Sequence, residues 1–127
     1  MNLIFKEYYM RGLCVLLFFL VTVVLSAQTK SQSITTWEEI NLEDAVLVDV
    51  RTAEEYSAGH LNGALNIDWF SEDFANQIQE VPKTKTIYLY CKKGGRSTKA
   101  QELLASLGYS NVINLTGGFD AWLAEHN

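Results

Sequence analysis

Strand and helix signals alternate along this chain, and the alternation predicts an α/β fold: a central, mostly parallel sheet with helices on both faces. Three observations carry the prediction. Ala45-Val46-Leu47-Val48 is a continuous apolar run that ends in charge at Asp49 and Arg51, the pattern of a strand covered on both faces. Ala100, Leu103, Leu104 and Leu107 recur at i, i+3, i+4 and i+7, which places one apolar stripe along a helix. The links between such segments are short, as in repeated strand-helix units.

The elements follow in order. Thr36-Trp37-Glu38-Glu39 reads as a capping box opening a short helix, and Ala45 to Val50 as the first strand. Thr52-Ala53-Glu54-Glu55 is a second capping box, so a helical turn should follow that strand directly. Ala64 to Ile67 is a brief strand. Ser71 to Val81 is predicted helical, with Glu72 and Asp73 acidic in its first turn. Ile87 to Tyr90 is a strand, the striped helix follows, and Gly108 is placed to end it. Val112 to Leu115 forms the last strand, and Gly117-Gly118 turns the chain into a helix from Phe119 to Ala124.

Ahead of this domain lies a targeting pattern. Lys6 and Arg11 precede thirteen residues, Leu13 to Leu25, that are apolar apart from Thr22, and Ser26-Ala27-Gln28 offers a small-residue exit. A spanning helix needs ~20 apolar residues, whereas a signal segment needs only ~7–15. Residues 1–27 are therefore expected to be a signal peptide cut after Ala27, 28–32 a polar linker and 33–126 the domain, exported to a periplasm or secreted. Leu25 sits where a small residue is usual, which leaves an uncleaved N-terminal membrane anchor as the alternative. Cys14 precedes most of the apolar run, the wrong place for lipid attachment.

Removing residues 1–27 takes away two positive charges and one negative, moving the formal net charge from −5 to −6. An acidic surface excludes nucleic acid and, once the leader is cut, stable association with anionic membrane. It also leaves Cys91 as the only cysteine, so no internal disulfide can form, and an odd thiol in an oxidising compartment is a reactive group or an intermolecular partner. His60 and His126 are far apart with no second cysteine near them, so no metal site is expected, nor any cofactor.

The chemistry concentrates at Tyr90-Cys91-Lys92-Lys93-Gly94-Gly95-Arg96-Ser97. The chain leaves a strand at Cys91, turns through Gly94 and Gly95 and enters the striped helix, so free backbone N–H groups should converge on the thiol and on any small anion. With Lys92, Lys93 and Arg96 nearby, a thiol of ordinary pKa ~8.5 falls toward a thiolate. Lys92, Lys93, Arg96 and Lys99 make a positive island in an acidic chain. Asp49 and Arg51 read as an ion pair bracing neighbouring loops, with Glu54 or Glu55 a further partner for Arg51. Gly117 and Gly118 should permit a close turn beside the pocket; Trp37, Tyr56, Phe119 and Trp122 read as core, and Trp69 and Phe70 as pocket wall.

Over roughly residues 33–126 these blocks resemble the rhodanese-like sulfurtransferase family. Leu47-Val48-Asp49-Val50-Arg51, Glu54-Glu55-Tyr56 and Gly59-His60-Leu61-Asn62-Gly63-Ala64-Leu65-Asn66-Ile67 are similar to its first signature. Cys91 through Ser97, then Ala100, Leu104, Gly108, Leu115, Gly117-Gly118 and Trp122, are similar to its second. Asp68 departs from the proline that many members carry. The resemblance implies a rhodanese-like fold and transfer of sulfane sulfur through a Cys91 persulfide, from a small anionic donor such as thiosulfate to cyanide or a thiol, with a redox protein as a further partner. It places His60 in a structural turn. Two alternatives stand beside it: a persulfide-binding or redox-sensing module without turnover, and phosphatase or arsenate-reductase chemistry. Four residues separate Cys91 from Arg96, as in the sulfurtransferase loop, where the related phosphatases have five.

Overall fold

The computed structural model describes residues 2–24 and 30–127. The first element, α1, spans Asn2–Val24. Among the described residues no helix is long and apolar enough to cross a membrane. The expected cleavage point and Gln28 lie outside the described residues.

Five strands form one sheet: β1 (Lys30–Ser33), β2 (Ala45–Asp49), β3 (Leu65–Asn66), β4 (Thr86–Tyr90) and β5 (Val112–Thr116). Their order is β1-β5-β4-β2-β3 and every neighbouring pair is parallel. Between them run a 3-10 helix (Ile34–Glu39), α2 (Ala53–Ala58), α3 (Phe74–Ile78) and α4 (Gly95–Ser106), and α5 (Gly118–His126) follows the last strand. α3 and α4 cover one face, packing Phe74, Ile78, Ala100 and Leu104 on Val48, Val50, Ile87 and Leu89. The 3-10 helix, α2 and α5 cover the other, packing Trp37, Tyr56, Phe119 and Trp122 around Leu47, Tyr90 and Leu115. Burying a side chain such as Leu104, 0% exposed, contributes about 1.5–3 kcal/mol.

Several expected elements shift. Lys30–Ser33, of which residues 30–32 read as polar linker, is an edge strand: its backbone pairs with β5 from Ile113 to Thr116, and Gln101 Nε2 donates to the Lys30 carbonyl at 2.7 Å. The polar linker thus ends before Lys30. The first helix starts earlier than Thr36, because Ser33 caps it by accepting from Thr35 N–H, and it is a 3-10 turn that ends at Glu39. α3 covers only Phe74–Ile78, since Asp73 turns its carboxylate toward the Asn76 and Gln77 amides instead of capping the backbone. The Thr52/Glu55 capping box forms as predicted, and Gly108, at φ 92°, follows the end of α4.

Topology positions the site. From β2 the chain moves outward to β3 and then returns to the opposite side of β2 for β4, so the winding reverses between β2 and β4. Open α/β sheets form their ligand crevice at such a reversal, beyond the carboxyl ends of the strands. The register sets Asp49 beside Tyr90, so Arg51 and Cys91 leave the sheet together.

Candidate active site

Cys91 follows β4 immediately and is 1% exposed. Its Sγ accepts the Gly94 N–H at 3.0 Å and lies 3.4 Å from Ser97 Oγ. Burial pushes the thiol up. Hydrogen bonds from the Ser97 hydroxyl and from the N–H groups of Ser97, Gly94 and Lys93 outweigh it and bring the pKa below the ordinary thiol value. Ser97 Oγ also reaches the Gly94 carbonyl at 3.2 Å. Its single proton can therefore turn from that carbonyl to the sulfur when the thiol ionises.

α5 sets the orientation of this loop. Its first amides reach across the sequence: Phe119 N–H donates to the Cys91 carbonyl at 2.8 Å and Asp120 N–H to the Lys92 carbonyl at 3.1 Å. In a trans peptide the carbonyl and the following N–H point in opposite directions. Drawing two carbonyls outward onto α5 therefore turns the Lys92 and Lys93 N–H groups inward. The approach requires glycine, for a Cβ on Gly118 would lie 2.3 Å from the Lys92 oxygen, and Gly118 has φ 68°. Gly117, at φ 90°, caps α5.

The charges of the loop are more committed than their sequence suggests. Arg96 forms a fork with Glu55, Nη1 to Oε1 at 2.6 Å and Nη2 to Oε2 at 3.0 Å. That contact, foremost, lowers the Glu55 pKa to about 2 and raises that of Arg96. Glu55 is thus the partner of Arg96, not of Arg51 as expected, and the capping box of α2 braces the Cys91 loop. Lys92 Nζ donates to Asp120 at 2.9 Å.

Asp49 and Arg51 pair with each other, Arg51 Nη2 to Asp49 Oδ2 at 2.7 Å, both buried. Burial pulls the Arg51 pKa down, but the Asp49 carboxylate raises it further, so the cation persists. Nη2 also donates to the Gly59 carbonyl at 2.7 Å, and the guanidinium carbon stands 4.3 Å from the Phe119 ring centre. This pair joins the end of β2 to the Gly59 turn and to α5. His60 stacks on Tyr56 at 3.7 Å, in that turn. Phe70 is exposed beside the loop, its ring centre 5.5 Å from the Arg96 guanidinium carbon, whereas Trp69 turns inward against Phe74. Among the described residues, no group of three or more His, Cys, Asp or Glu is placed to hold a metal ion.

Sequence reading found the thiol, its glycine turn and the α4 amides. It missed Asp120 and the Phe119 and Asp120 amides, whose only local signal was the Gly117-Gly118 pair ahead of a helix.

The Rhodanese-like domain family matches residues 35–125. The chain is 38% identical to a sulfurtransferase of Allochromatium vinosum, with 66% of this chain and 76% of that one covered. It is 34% identical to the thiosulfate sulfurtransferase GlpE of Pseudomonas entomophila, covering 68% and 78%. A rhodanese-like domain protein of Staphylococcus aureus superposes with a TM-score of 0.65 at 30% identity, over 74% of this chain and 91% of that one. With the family matched over residues 35–125, the fold shared and relatives that are sulfurtransferases, the chain belongs to the rhodanese-like domain family and is a rhodanese-type sulfurtransferase.

Proposed function

We propose that Cys91 accepts sulfane sulfur from a small anionic donor of the thiosulfate type, holds it as a persulfide, and passes it to cyanide or a thiol. The Cys91 thiolate attacks the outer sulfur of the donor. A new S–S bond forms, the donor's S–S bond breaks, and its electron pair leaves on sulfite. Cyanide then attacks the outer sulfur of the persulfide, departs as thiocyanate, and the electron pair of the breaking bond restores the thiolate. Neither step needs a cofactor, because charge only moves between sulfur atoms within one cradle of N–H donors.

The observation that carries this reading is the cradle itself: a buried sulfur faced by the Lys93, Gly94 and Ser97 N–H groups and the Ser97 hydroxyl. Phosphoryl or arsenate chemistry finds less support. Its arginine would have to grip a tetrahedral oxyanion, and Arg96 is held in a fork by Glu55.

Export is part of the proposal. Lys6, Arg11 and the apolar stretch that follows support it, and β1 begins at Lys30, just after the expected cut.

One measurement tests both parts: the intact mass of protein recovered from outside the cytoplasm, before and after thiosulfate, with and without cyanide. The expected mass is that of a chain beginning near Gln28, increased by one sulfur atom with thiosulfate and restored by cyanide. The Cys91→Ser variant should gain nothing, since its hydroxyl forms no persulfide. A sulfur adduct on the Ser variant, or none on the wild type, overturns the chemistry. A full-length chain found only in membrane overturns export.

A further inference from the structure

Two acids from outside the Cys91 loop pair with its cations, Glu55 of α2 and Asp120 of α5, and they hold them differently. Lys92 meets Asp120 through one contact of 2.9 Å, with side chains 53% and 35% exposed. Arg96 meets Glu55 through two, at 2.6 and 3.0 Å, and those side chains are only 19% and 28% exposed. A two-point arginine–carboxylate fork largely shielded from water is the stronger and less screened kind of pair.

Both ends of the fork are anchored. Glu55 Oε1 also accepts from the Thr52 N–H at 3.3 Å and from Thr52 Oγ1 at 3.2 Å, the return half of the α2 capping box, so the carboxylate is tied to its own helix start. On the other side the Phe70 ring faces the guanidinium at 5.5 Å, within the range of a cation–π contact. The backbone of Arg96 meanwhile lies in the first turn of α4, next to Ser97, whose hydroxyl and N–H hold the sulfur. An arginine in that position is built to grip a tetrahedral oxyanion at the loop, because a guanidinium edge matches two oxygens of such a group with parallel N–H donors. Glu55 occupies the Nη1–Nη2 edge and matches the charge.

We infer that Glu55 is a specificity-determining residue: by holding Arg96 it keeps the Cys91 loop from binding tetrahedral oxyanions such as phosphate and sulfate, and so reserves the loop for sulfur. The inference rests on Cys91 taking sulfur from an anionic donor. It also gives the fork a part in turnover. A free Arg96 would grip the oxygens of the donor and keep its grip on sulfite after the S–S bond breaks, so turnover would wait on release of that product. With Arg96 matched by Glu55, sulfite meets no such clamp and leaves.

Glu55→Gln is the test. Glutamine also serves at the third position of a capping box, so α2 keeps its cap while Arg96 loses the charge that matches its own. Two readouts are taken at constant ionic strength: inhibition of thiosulfate:cyanide transfer by inorganic phosphate, and the shift of melting temperature caused by the same phosphate, which needs no turnover. In Glu55→Gln the Ki for phosphate, competitive with thiosulfate, should fall roughly three- to tenfold below the wild-type value, and phosphate should raise the melting temperature more than it does in the wild type. The Ki for sulfite should fall with it. Adding Arg96→Gln should return both readouts to the wild-type values. Loss of a merely structural brace would lower activity or stability without tightening a competing anion. An unchanged or higher Ki in Glu55→Gln, or a lower Ki that survives Arg96→Gln, overturns the role given to Glu55 while leaving the carrier chemistry standing. A wild type that forms no persulfide overturns the carrier reading, and the phosphate melts then decide the assignment of Glu55 by themselves.

Discussion

Two helices begin beside Cys91, α4 after Gly94 and α5 after Gly117. Both caps are glycines in left-handed backbone, at φ 119° and 90°, and neither helix has a side-chain cap. There the likeness ends. Around Gly94 and Gly95 an added Cβ would meet nothing within 4 Å, whereas at Gly118 it would strike the backbone of Lys92 and Lys93. α4 leaves its free amides open to the sulfur. α5 spends its own on the Cys91 and Lys92 carbonyls, and the turned Lys92–Lys93 peptide supplies the Lys93 N–H to the same sulfur. One start is glycine-rich to leave room and the other to let backbones touch, and the sulfur cradle is the joint product.

The comparison predicts opposite responses to one added methyl. Gly118→Ala should displace the loop or unseat α5, so sulfur transfer should fall by orders of magnitude. Thermal stability should drop too, since a left-handed alanine alone costs about 1–3 kcal/mol. Gly95→Ala meets open space, has no positive φ and improves helix propensity. It should keep activity and raise stability by up to about 1 kcal/mol. Thermal melts and steady-state thiosulfate:cyanide transfer on the two variants check the contrast. Equal losses would mean that α5 does not shape the loop.

A smaller effect separates the amides from the hydroxyl. Ser97 lies on α4 and is fully buried, and its hydroxyl is the foremost group lowering the Cys91 pKa against burial. Ser97→Ala removes that hydrogen bond and leaves the N–H groups. The pKa should rise, and because the thiolate is the nucleophile, the rising limb of kcat/KM against pH should move to higher pH, with the plateau much less changed. A profile that falls uniformly at all pH values would instead mean that Ser97 shapes the loop and does not tune the thiol.

The same contrast explains what could be read from residues in order. β2, the Thr52/Glu55 capping box and the α4 stripe are local patterns, and each formed where its pattern lies. The Cys91 loop was legible because strand, thiol, glycines and helix are consecutive. β1 was not, because Lys30-Ser31-Gln32-Ser33 has no apolar or β-branched residue and is a strand only through backbone pairing with β5, more than eighty residues away. Ion pairing was equally hidden. Glu55 meets Arg96 across 41 residues and Lys92 meets Asp120 across 28, and nothing in either local stretch announces the partner.

The smallest expected effect concerns the two lysines, which look equivalent in sequence. Lys92 is held by Asp120 on α5, so its charge is largely compensated; Lys93 has no such partner among the described residues and faces the open side of α4. Attraction of a doubly charged donor should therefore rest on Lys93. Such attraction acts on bound donor and transition state alike, so Lys93→Ala should raise the KM for thiosulfate a few-fold, about what one exposed charge contributes, and leave kcat nearly unchanged. Lys92→Ala should change KM less, because Asp120 already cancels most of the field it would lose. Salt should imitate the Lys93 variant in the wild type and have less left to screen in the variant itself, given a Debye length of ~8 Å at physiological ionic strength. Steady-state kinetics of both variants at low and high salt decide it. If Lys92→Ala raised KM as much as Lys93→Ala did, the Asp120 pair would open in solution, and the two lysines would share the capture of the anion.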